Sequence, residues 1–559
     1  MIRTNVVCNL DEQHNVPVCL FFYMMIDNKQ LARLLNKLIK FIFDIFDWLV
    51  YFLTFFICRY KKKDELPRIT SKYLNISAKK LAGKIKAKEL KCVDVVEAYI
   101  NRIKDVQPYI NSVVQDRFDE ALKEAKAVDE LVEKSLLSDL SDKPLLGVPL
   151  TVKETIAVKG MSHNAARSRV TENIAKKDAE IIQNLREAGA IPLLVSNTPE
   201  LCLHIETSNP KYGRTNNPYD LRRTAGGSSG GEVSLLGSAA SVIGVGSDIG
   251  GSLRIPAFFC GVFGHKPTPG YVPNEGHIPT STDSMWNYYF TLGPLTRYAE
   301  DLPLMLENMI TEKSKVGKLR LDEKVDVSKL KIYYMYGEGP DSVLQRVPNV
   351  ECIRAISLAI SALRDKYQCK VEETKIKEFQ DSVLLNSQIL YISGVENVFQ
   401  TQDDKPDDWG WIRIVEVILK KLLFRSSASM SCILYGLLKR ILDLTPENVR
   451  TLLRQKTTKI HTIVTDLLGN DAVLLYPSFS EEAPLHHRLC SKILDVSYLS
   501  IFNVLGMPVT QCPVGMTREG IPIGIQIVSA PHNDRLSLAV ARALEKELGG
   551  WTLPPNPPV

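Results

Sequence analysis

Between residues 31 and 58 the chain reads LARLLNKLIKFIFDIFDWLVYFLTFFIC, and its polar positions are not scattered. At about 100° per residue, Arg33, Asn36, Lys37, Lys40, Asp44 and Asp47 fall on one arc of a helix, leaving an apolar face opposite. After Asp47 the segment is apolar all round. Residues 41–58 predict a helix about 27 Å long, close to the roughly 30 Å of a bilayer core. Two aspartates near one end count against a span, because an isolated Asp near the bilayer centre costs on the order of 2.5 to 3.5 kcal/mol. The competing arrangement is an amphipathic helix lying in the interface, its C-terminal half dipping inward. No small-residue cleavage site follows, which argues against a removed signal peptide. Residues 1–65 are therefore expected to be a membrane-anchoring segment with an N-terminal membrane helix, single-pass or monotopic. Basic residues flank both ends, including Arg59, Lys61, Lys62 and Lys63, so orientation stays undecided. Residues 1–23 fit neither anchor nor domain, and Met24 or Met25 is a more natural start.

After Pro67 the periodicity changes. Residues 93–104 and 117–131 predict amphipathic helices, and LLGVPLTVKET predicts a short buried strand ending near Lys153. Asp178 is placed to cap AEIIQNLREA, Gly189 ends that helix, and AIPLLVS follows as an apolar strand. The same grammar recurs in RAISLAISALRDKYQCKVEE, in DAVLLYPS, and in GIPIGIQIVSAP before RLSLAVARALEKEL. Helices alternating with buried strands predict an α/β fold: a large mixed, mostly parallel β-sheet covered by helices on both faces, over residues 66–559. One stretch stands apart. Residues 409–442, WGWIRIVEVILKKLLFRSSASMSCILYGLLKRIL, are apolar with interleaved Lys and Arg. They predict a pair of basic amphipathic helices, either at a membrane surface or lipid-channel mouth, or packed on the core with a solvated basic face.

Composition narrows the function classes. The 559 residues are 45% hydrophobic and 24% charged, which is a folded protein with a large core. Of the net charge of +5, the first 63 residues supply +4, so the body is nearly neutral and a nucleic-acid partner is not expected. Eleven cysteines with no CxxC pair suit a reduced protein rather than a disulfide framework. The adjacent His486 and His487 have no CxxC or HExxH context, so they are read as loop residues and no metal is expected.

The chemistry concentrates in GGSSGGEVSLLGSAASVIGVGSDIGGSLRIP, residues 226–256, with nine glycines and seven serines. Glycine loses the most freedom on folding, so such a density calls for backbone that turns left-handed or approaches something closely. A flexible linker would lack the apolar middle. A dinucleotide fingerprint starting at Gly244 fails because Ile249 stands where its last glycine belongs, and a phosphate loop lacks its Lys. An α/β-hydrolase elbow is matched formally at Ser228 and at Ser229. The second cluster is the better place for a nucleophile, since Gly250 and Gly251 leave the amides of residues 249 to 252 free to converge as an oxyanion hole.

GGSSGGE from Gly226, GVGSDIGGSLRIP, and GVFGHKPTPG from Gly261 together resemble the signature of the amidase signature family. The resemblance extends through LLGVPLTVKE and LGMPVTQCPVGMTREGIPIGIQIV, over residues 70–550. It implies the amidase-signature fold and a Ser-Ser-Lys triad: Ser252 as acyl-forming nucleophile, Ser228 as bridging serine, Lys153 as base. It also implies an oxyanion hole from the amides of Ile249, Gly250, Gly251 and Ser252, with no cofactor. Free lysine is neutral in only about one molecule in 2,500 at pH 7, so Lys153 must be buried enough to lower its pKa by about three units. Ser229, Asp248 and Arg254 are expected to support the site, Arg254 as half of an ion pair, and Cys260 to pack in the core.

With the N-terminal segment, the resemblance implies a membrane-associated serine amidase that cleaves fatty-acid amides to fatty acid and amine. The partners are then a lipid amide and a membrane, with endoplasmic reticulum or lipid-droplet surfaces suggested and a homodimer left open. Competing readings are the amide-handling component of a glutamine-dependent amidotransferase, a lipid esterase with the same triad, an elbow esterase using Ser228 or Ser229, and a silent binding protein.

Overall fold

The structure is a computed structural model that describes residues 29–59, 65–168, 172–338, 345–392, 411–423 and 428–554. Met24, Met25, Lys61, Lys62, Lys63 and the start of the 409–442 stretch lie outside those residues.

Buried apolar runs build one eleven-stranded sheet. Its strands, numbered along the chain, are β1 Val113–Asp116, β2 Pro149–Lys153, β3 Ile191–Ser196, β4 Ile243–Asp248, β5 Phe263–Lys266, β6 Thr291–Thr296, β7 Lys331–Tyr334, β8 Lys370–Glu373, β9 Ala472–Pro477, β10 Val509–Met516 and β11 Pro522–Val528. Across the sheet they lie in the order β1-β3-β2-β4-β6-β5-β10-β11-β9-β7-β8. The sheet is mixed, but the expectation of mostly parallel strands is overturned. Six of the ten pairings are antiparallel, and the four parallel ones sit in two groups toward the edges. The reason is burial. A continuous apolar run reports a strand covered on both faces, which is usual for parallel sheets, yet the central antiparallel strands here are covered on both faces too.

Alternation along β9 shows both layers. Val473 and Leu475 join a core cluster that contains Ala355, Ile356 and Ala359 of the helix Val350–Tyr367. Leu474 and Tyr476, pointing the other way, join a second cluster with Leu453, Ile460 and Val464 of the helix Glu447–Leu468. The expected helices form at Cys92–Ile110, Phe118–Lys134, Glu180–Glu187 and Asp534–Leu548. Asp178 does not cap its helix: the cap position is Ala179, without a side-chain bond. Asp178 stands one residue before the cap position, and its carboxylate instead accepts the Lys159 amide at 2.7 Å and pairs with Arg186 at 3.1 Å.

The N-terminal segment forms the helix Lys29–Arg59. Phe41, Trp48 and Leu53 on it are 62%, 63% and 61% exposed. Among the described residues no helix is long and apolar enough to cross a membrane. The basic amphipathic stretch forms the helices Trp411–Leu422 and Met430–Asp443. Val417, Cys432 and Ile433 turn inward against Ala165 and Leu201, while Leu419, Met430, Leu434 and Leu438 are exposed. The pair is therefore apolar on two sides, and its outer side is not a purely basic solvated face.

Candidate active site

Two neighbouring parallel strands end at the glycine-serine loops. Val152 of β2 lies beside Val245 of β4, so Lys153 and Asp248, the last residues of those strands, come to the same edge. Beyond Asp248 the chain passes through Ile249, Gly250 and Gly251 into the helix Arg254–Phe259. Gly251 has φ +112°, and a methyl group there would lie 2.6 Å from Leu499 Cβ, so both backbone and space demand glycine.

Asp248 and Arg254 hold this turn from inside. The Asp248 carboxylate accepts the amides of Gly251 at 2.7 Å and Leu253 at 3.1 Å. Arg254 grips both carboxylate oxygens, each at 3.0 Å. Its remaining N–H groups reach the Leu499 carbonyl, Gln526 and Asn503. Every residue of this network is buried. Taking two charges out of water is costly, and only such full hydrogen bonding makes it tolerable. Burial alone would raise the Asp248 carboxyl, but the Arg254 guanidinium and the bonds from Arg254 and Asn503 outweigh it and hold the group at about 2. The ion pair expected for Arg254 is thus with Asp248.

Lys153 is fully buried and donates to two hydroxyls, Ser228 Oγ at 2.6 Å and Ser247 Oγ at 2.9 Å. Burial lowers its pKa from the ordinary lysine value, against the opposing pull of Cys202, Asp248 and Glu232. Ser228 is also fully buried, and its carbonyl accepts from Thr198 Oγ1 at 3.0 Å. The two glycine-serine clusters touch through the backbone, the Ser229 amide donating to the Ser252 carbonyl at 3.3 Å. No hydroxyl-to-hydroxyl bond joins Ser252 to Ser228 among the described residues; such links often tighten only when substrate binds. Ser252, Ile249 and Gly250 are half-buried in a run whose other members are buried, so the site opens at the glycine turn.

Two residues escaped the sequence reading. Ser247 is the second acceptor for Lys153, and it was visible only as one more serine in GVGSD. Glu232, on the helix Gly230–Gly237, is fully buried and accepts from Thr151 Oγ1 at 2.8 Å. Burial pushes its carboxyl up to about 7, with the bond from Thr151 and the Lys153 charge opposing. Gly244 makes room for it, since a methyl group there would sit 2.1 Å from Glu232 Oε2. A carboxyl inside an otherwise apolar and glycine-rich run is the signal that marked it.

Other expectations resolve simply. Ser228 and Ser229 are both fully buried, which does not suit an elbow that must present its serine to substrate. His486 is a buried partner of Glu206 at 2.7 Å rather than a free loop residue. His487 beside it meets Arg214 at 2.7 Å. No group of three or more His, Cys, Asp or Glu that could hold a metal exists among the described residues. Cys260 is fully buried in a cluster with Ala225, Leu236 and Val262, and burial drives its thiol far from ionisation.

At one edge of the mixed sheet a buried lysine thus meets a buried serine beside an open glycine turn. The family description Amidase matches residues 94–538, and this chain belongs to the amidase family, hydrolases acting on amide C–N bonds. The chain is 41% identical to fatty-acid amide hydrolase 2 from Homo sapiens, over 88% of this chain and 93% of that protein. It is 28% identical to one component of the glutamyl-tRNA(Gln) amidotransferase from Carboxydothermus hydrogenoformans, over 84% of this chain and 97% of that one. A solved fatty acid amide hydrolase shares the fold with TM-score 0.67 at 22% identity, covering 85% of this chain and 86% of that one.

Proposed function

We propose that this protein hydrolyses fatty-acid amides to free fatty acid and amine at a membrane surface, with Ser252, Ser228 and Lys153 as the reacting groups. The observation that carries the reading is the buried hydrogen bond from Lys153 to Ser228 at 2.6 Å. Neutral Lys153 accepts the Ser228 proton as Ser228 accepts that of Ser252, whose Oγ bonds to the amide carbonyl carbon. The amides of Ile249, Gly250 and Ser252 stabilise the developing oxyanion. The Gly251 amide, engaged by Asp248, shapes the turn instead. The C–N bond then breaks as Ser228 passes a proton to the leaving nitrogen and recovers one from the Lys153 ammonium. That protonation is what an amine needs in order to leave, and an alkoxide needs it less. Water adds to the acyl-enzyme by the reverse sequence, releasing the acid and Ser252.

The lipid part of the reading is supported by the similarity to fatty-acid amide hydrolase 2 and by apolar surface. Leu201, beside Cys202, packs with Ala165, Ile278, Val417 and Ile433, an apolar cluster to which the helix pair contributes its inward side chains. In this reading residues 1–65 anchor and residues 66–559 catalyse, with the exposed faces of Lys29–Arg59 and of the helix pair lying in the lipid interface. The test is fluorophosphonate labelling of wild type, Ser252→Ala, Ser228→Ala and Lys153→Ala, with peptide mapping and fatty-acid release from N-acyl amides. Label confined to Ser252 and fatty acid released by wild type alone support the proposal. Label on Ser228 or Ser229 removes the mechanism, and release of ammonia from glutamine without any from lipid amides turns the reading to an amidotransferase component.

A further inference from the structure

Asp47 is out of place in an apolar helix, and the catalytic domain explains it. Its carboxylate accepts from Ser491 Oγ at 2.5 Å and stands 3.4 Å from Lys492 Nζ, 3.5 Å from Arg488 and 3.9 Å from Arg346. The Arg488 guanidinium also lies over the Tyr51 ring, 4.9 Å from its centroid. The three cations have three close acids. Arg346 pairs with Asp495 at 3.3 Å, and Glu481 meets Lys492 at 3.2 Å and Arg488 at 3.5 Å. Asp47 is the third; the N-terminal helix also brings Asp44 to 3.9 Å from Arg346, but Asp44 is half exposed and meets none of the other cations, whereas Asp47 faces all three. Lys492 is only 4% exposed on its side chain, so removal of Asp47 leaves a nearly buried cation short of a partner.

The clamped segment leads straight to the glycine turn. Arg488–Val496 is a 3-10 segment kinked at Lys492, and it continues directly into the helix Ser497–Val504. Val496 and Ser500 border Gly250, and Leu499 packs on Gly251 closely enough to exclude a methyl group. The Leu499 carbonyl accepts from Arg254, and Asn503 bonds both Arg254 and Asp248. The 488–504 segment is thus the outer wall of the turn that precedes Ser252.

From this chain of contacts we infer that Asp47 is a positioning residue for catalysis. The N-terminal helix braces the 488–504 wall, and through it the turn formed by Ile249, Gly250 and Gly251. The inference rests on the proposed role of Ser252 and its neighbouring amides. It does not require a bilayer, since the brace is made within the chain.

The experiment uses the full chain in detergent micelles with a water-soluble short-chain N-acyl amide. It compares wild type, Asp47→Asn, Asp47→Glu and Ser491→Ala, with rates normalised to the sites titrated by fluorophosphonate. The expected result for Asp47→Asn is a kcat lower by about threefold to tenfold with KM changed less than about twofold, Asp47→Glu recovering most of it. Ser491→Ala, which removes one hydrogen bond to the Asp47 carboxylate but leaves its charge in place, should show a smaller loss in the same direction. Vesicle sedimentation of Asp47→Asn should match wild type. A normalised kcat for Asp47→Asn and Ser491→Ala equal to wild type overturns the inference, as does a loss confined to KM. Wild type that is not labelled at Ser252 rejects the underlying mechanism instead, so the two failures are distinguishable.

Discussion

The Lys153 ammonium nitrogen lies 2.6 Å from Ser228 Oγ, and neither side chain is exposed to solvent. A lysine placed this way is expensive to charge, because the hydroxyls of Ser228 and Ser247 solvate it less well than water does. That penalty is what the proposed role of Lys153 as proton acceptor requires.

Removing the bridging hydroxyl should therefore hurt amides more than esters. Ser228→Ala is expected to lower kcat for an N-acyl amide on the order of 10²- to 10⁴-fold. The matched ester should lose distinctly less, since its leaving alkoxide has less need of a proton. Parallel steady-state assays of amide and ester check this; equal losses reject the role of Ser228 as proton donor to nitrogen.

The pH dependence has a defined sign. In the proposed mechanism the working form of Lys153 is neutral, so kcat/KM should rise with pH along a limb whose midpoint lies below 10.5, the direction in which burial moves the group. The same shift bears on stability. Between the depressed folded pKa and 10.5 the unfolded chain holds a proton that the folded chain lacks, so stability rises with pH across that window. Lys153→Met should abolish activity, remove that slope and unfold no more easily than wild type at pH 7. Denaturant unfolding at several pH values is the measurement.

Breaking the Asp248–Arg254 pair should be severe. Asp248→Asn leaves the Arg254 charge buried without its carboxylate, an expected loss of about 3 to 5 kcal/mol in urea unfolding. In wild type the carboxyl is depressed to about 2, so its stabilisation is complete above 3.8 and fades as pH falls through about 2. The variant should lack this acid dependence.

Gly250 and Gly251 should respond differently to the same added methyl group. Gly251→Ala meets both φ +112° and the Leu499 side chain at 2.6 Å, and should cost about 1 to 3 kcal/mol or more. At Gly250 the nearest atom is Ser500 Cβ at 3.7 Å, so Gly250→Ala should fold with stability within about 1 kcal/mol of wild type. Thermal unfolding of the pair distinguishes them.

Exposed apolar side chains make the membrane reading testable. Trp48→Ser with Leu53→Ser, or Leu419→Ser with Leu434→Ser, should reduce co-sedimentation with phospholipid vesicles. Turnover of a water-soluble amide in detergent should remain near wild type. Unchanged sedimentation in both pairs would exclude these faces as lipid contacts.

Local pattern was enough for much of this molecule. The helix of residues 31–58, the strands around Lys153 and AIPLLVS, and the two glycine-serine clusters were all legible, since periodicity and glycine demand are properties of a few adjacent residues. Strand direction was not. A doubly covered strand reads the same whichever way its neighbour runs, and the antiparallel centre of the sheet stayed hidden. Asp178 was misread for a related reason: the helix begins one residue later, and the Asp178 carboxylate is taken by the amide of Lys159, nineteen residues away, which a short window does not reach.

The chemistry divides in the same way. Ser252, Ser228 and Lys153 were named through the resemblance of motifs along the chain to the amidase signature, together with the requirement that the lysine be buried. Only the tertiary structure decided that Ser247 shares the lysine and that Glu232 is buried against Thr151 and Gly244. It also decided that the Gly251 amide belongs to Asp248 and that Asp47 reaches across the fold to Lys492. Those are contacts between residues that the linear pattern does not connect. Hydrogen bonding and charge neutralisation act through space, so the pattern reports which residues need partners, and only the packed chain determines which partners they find.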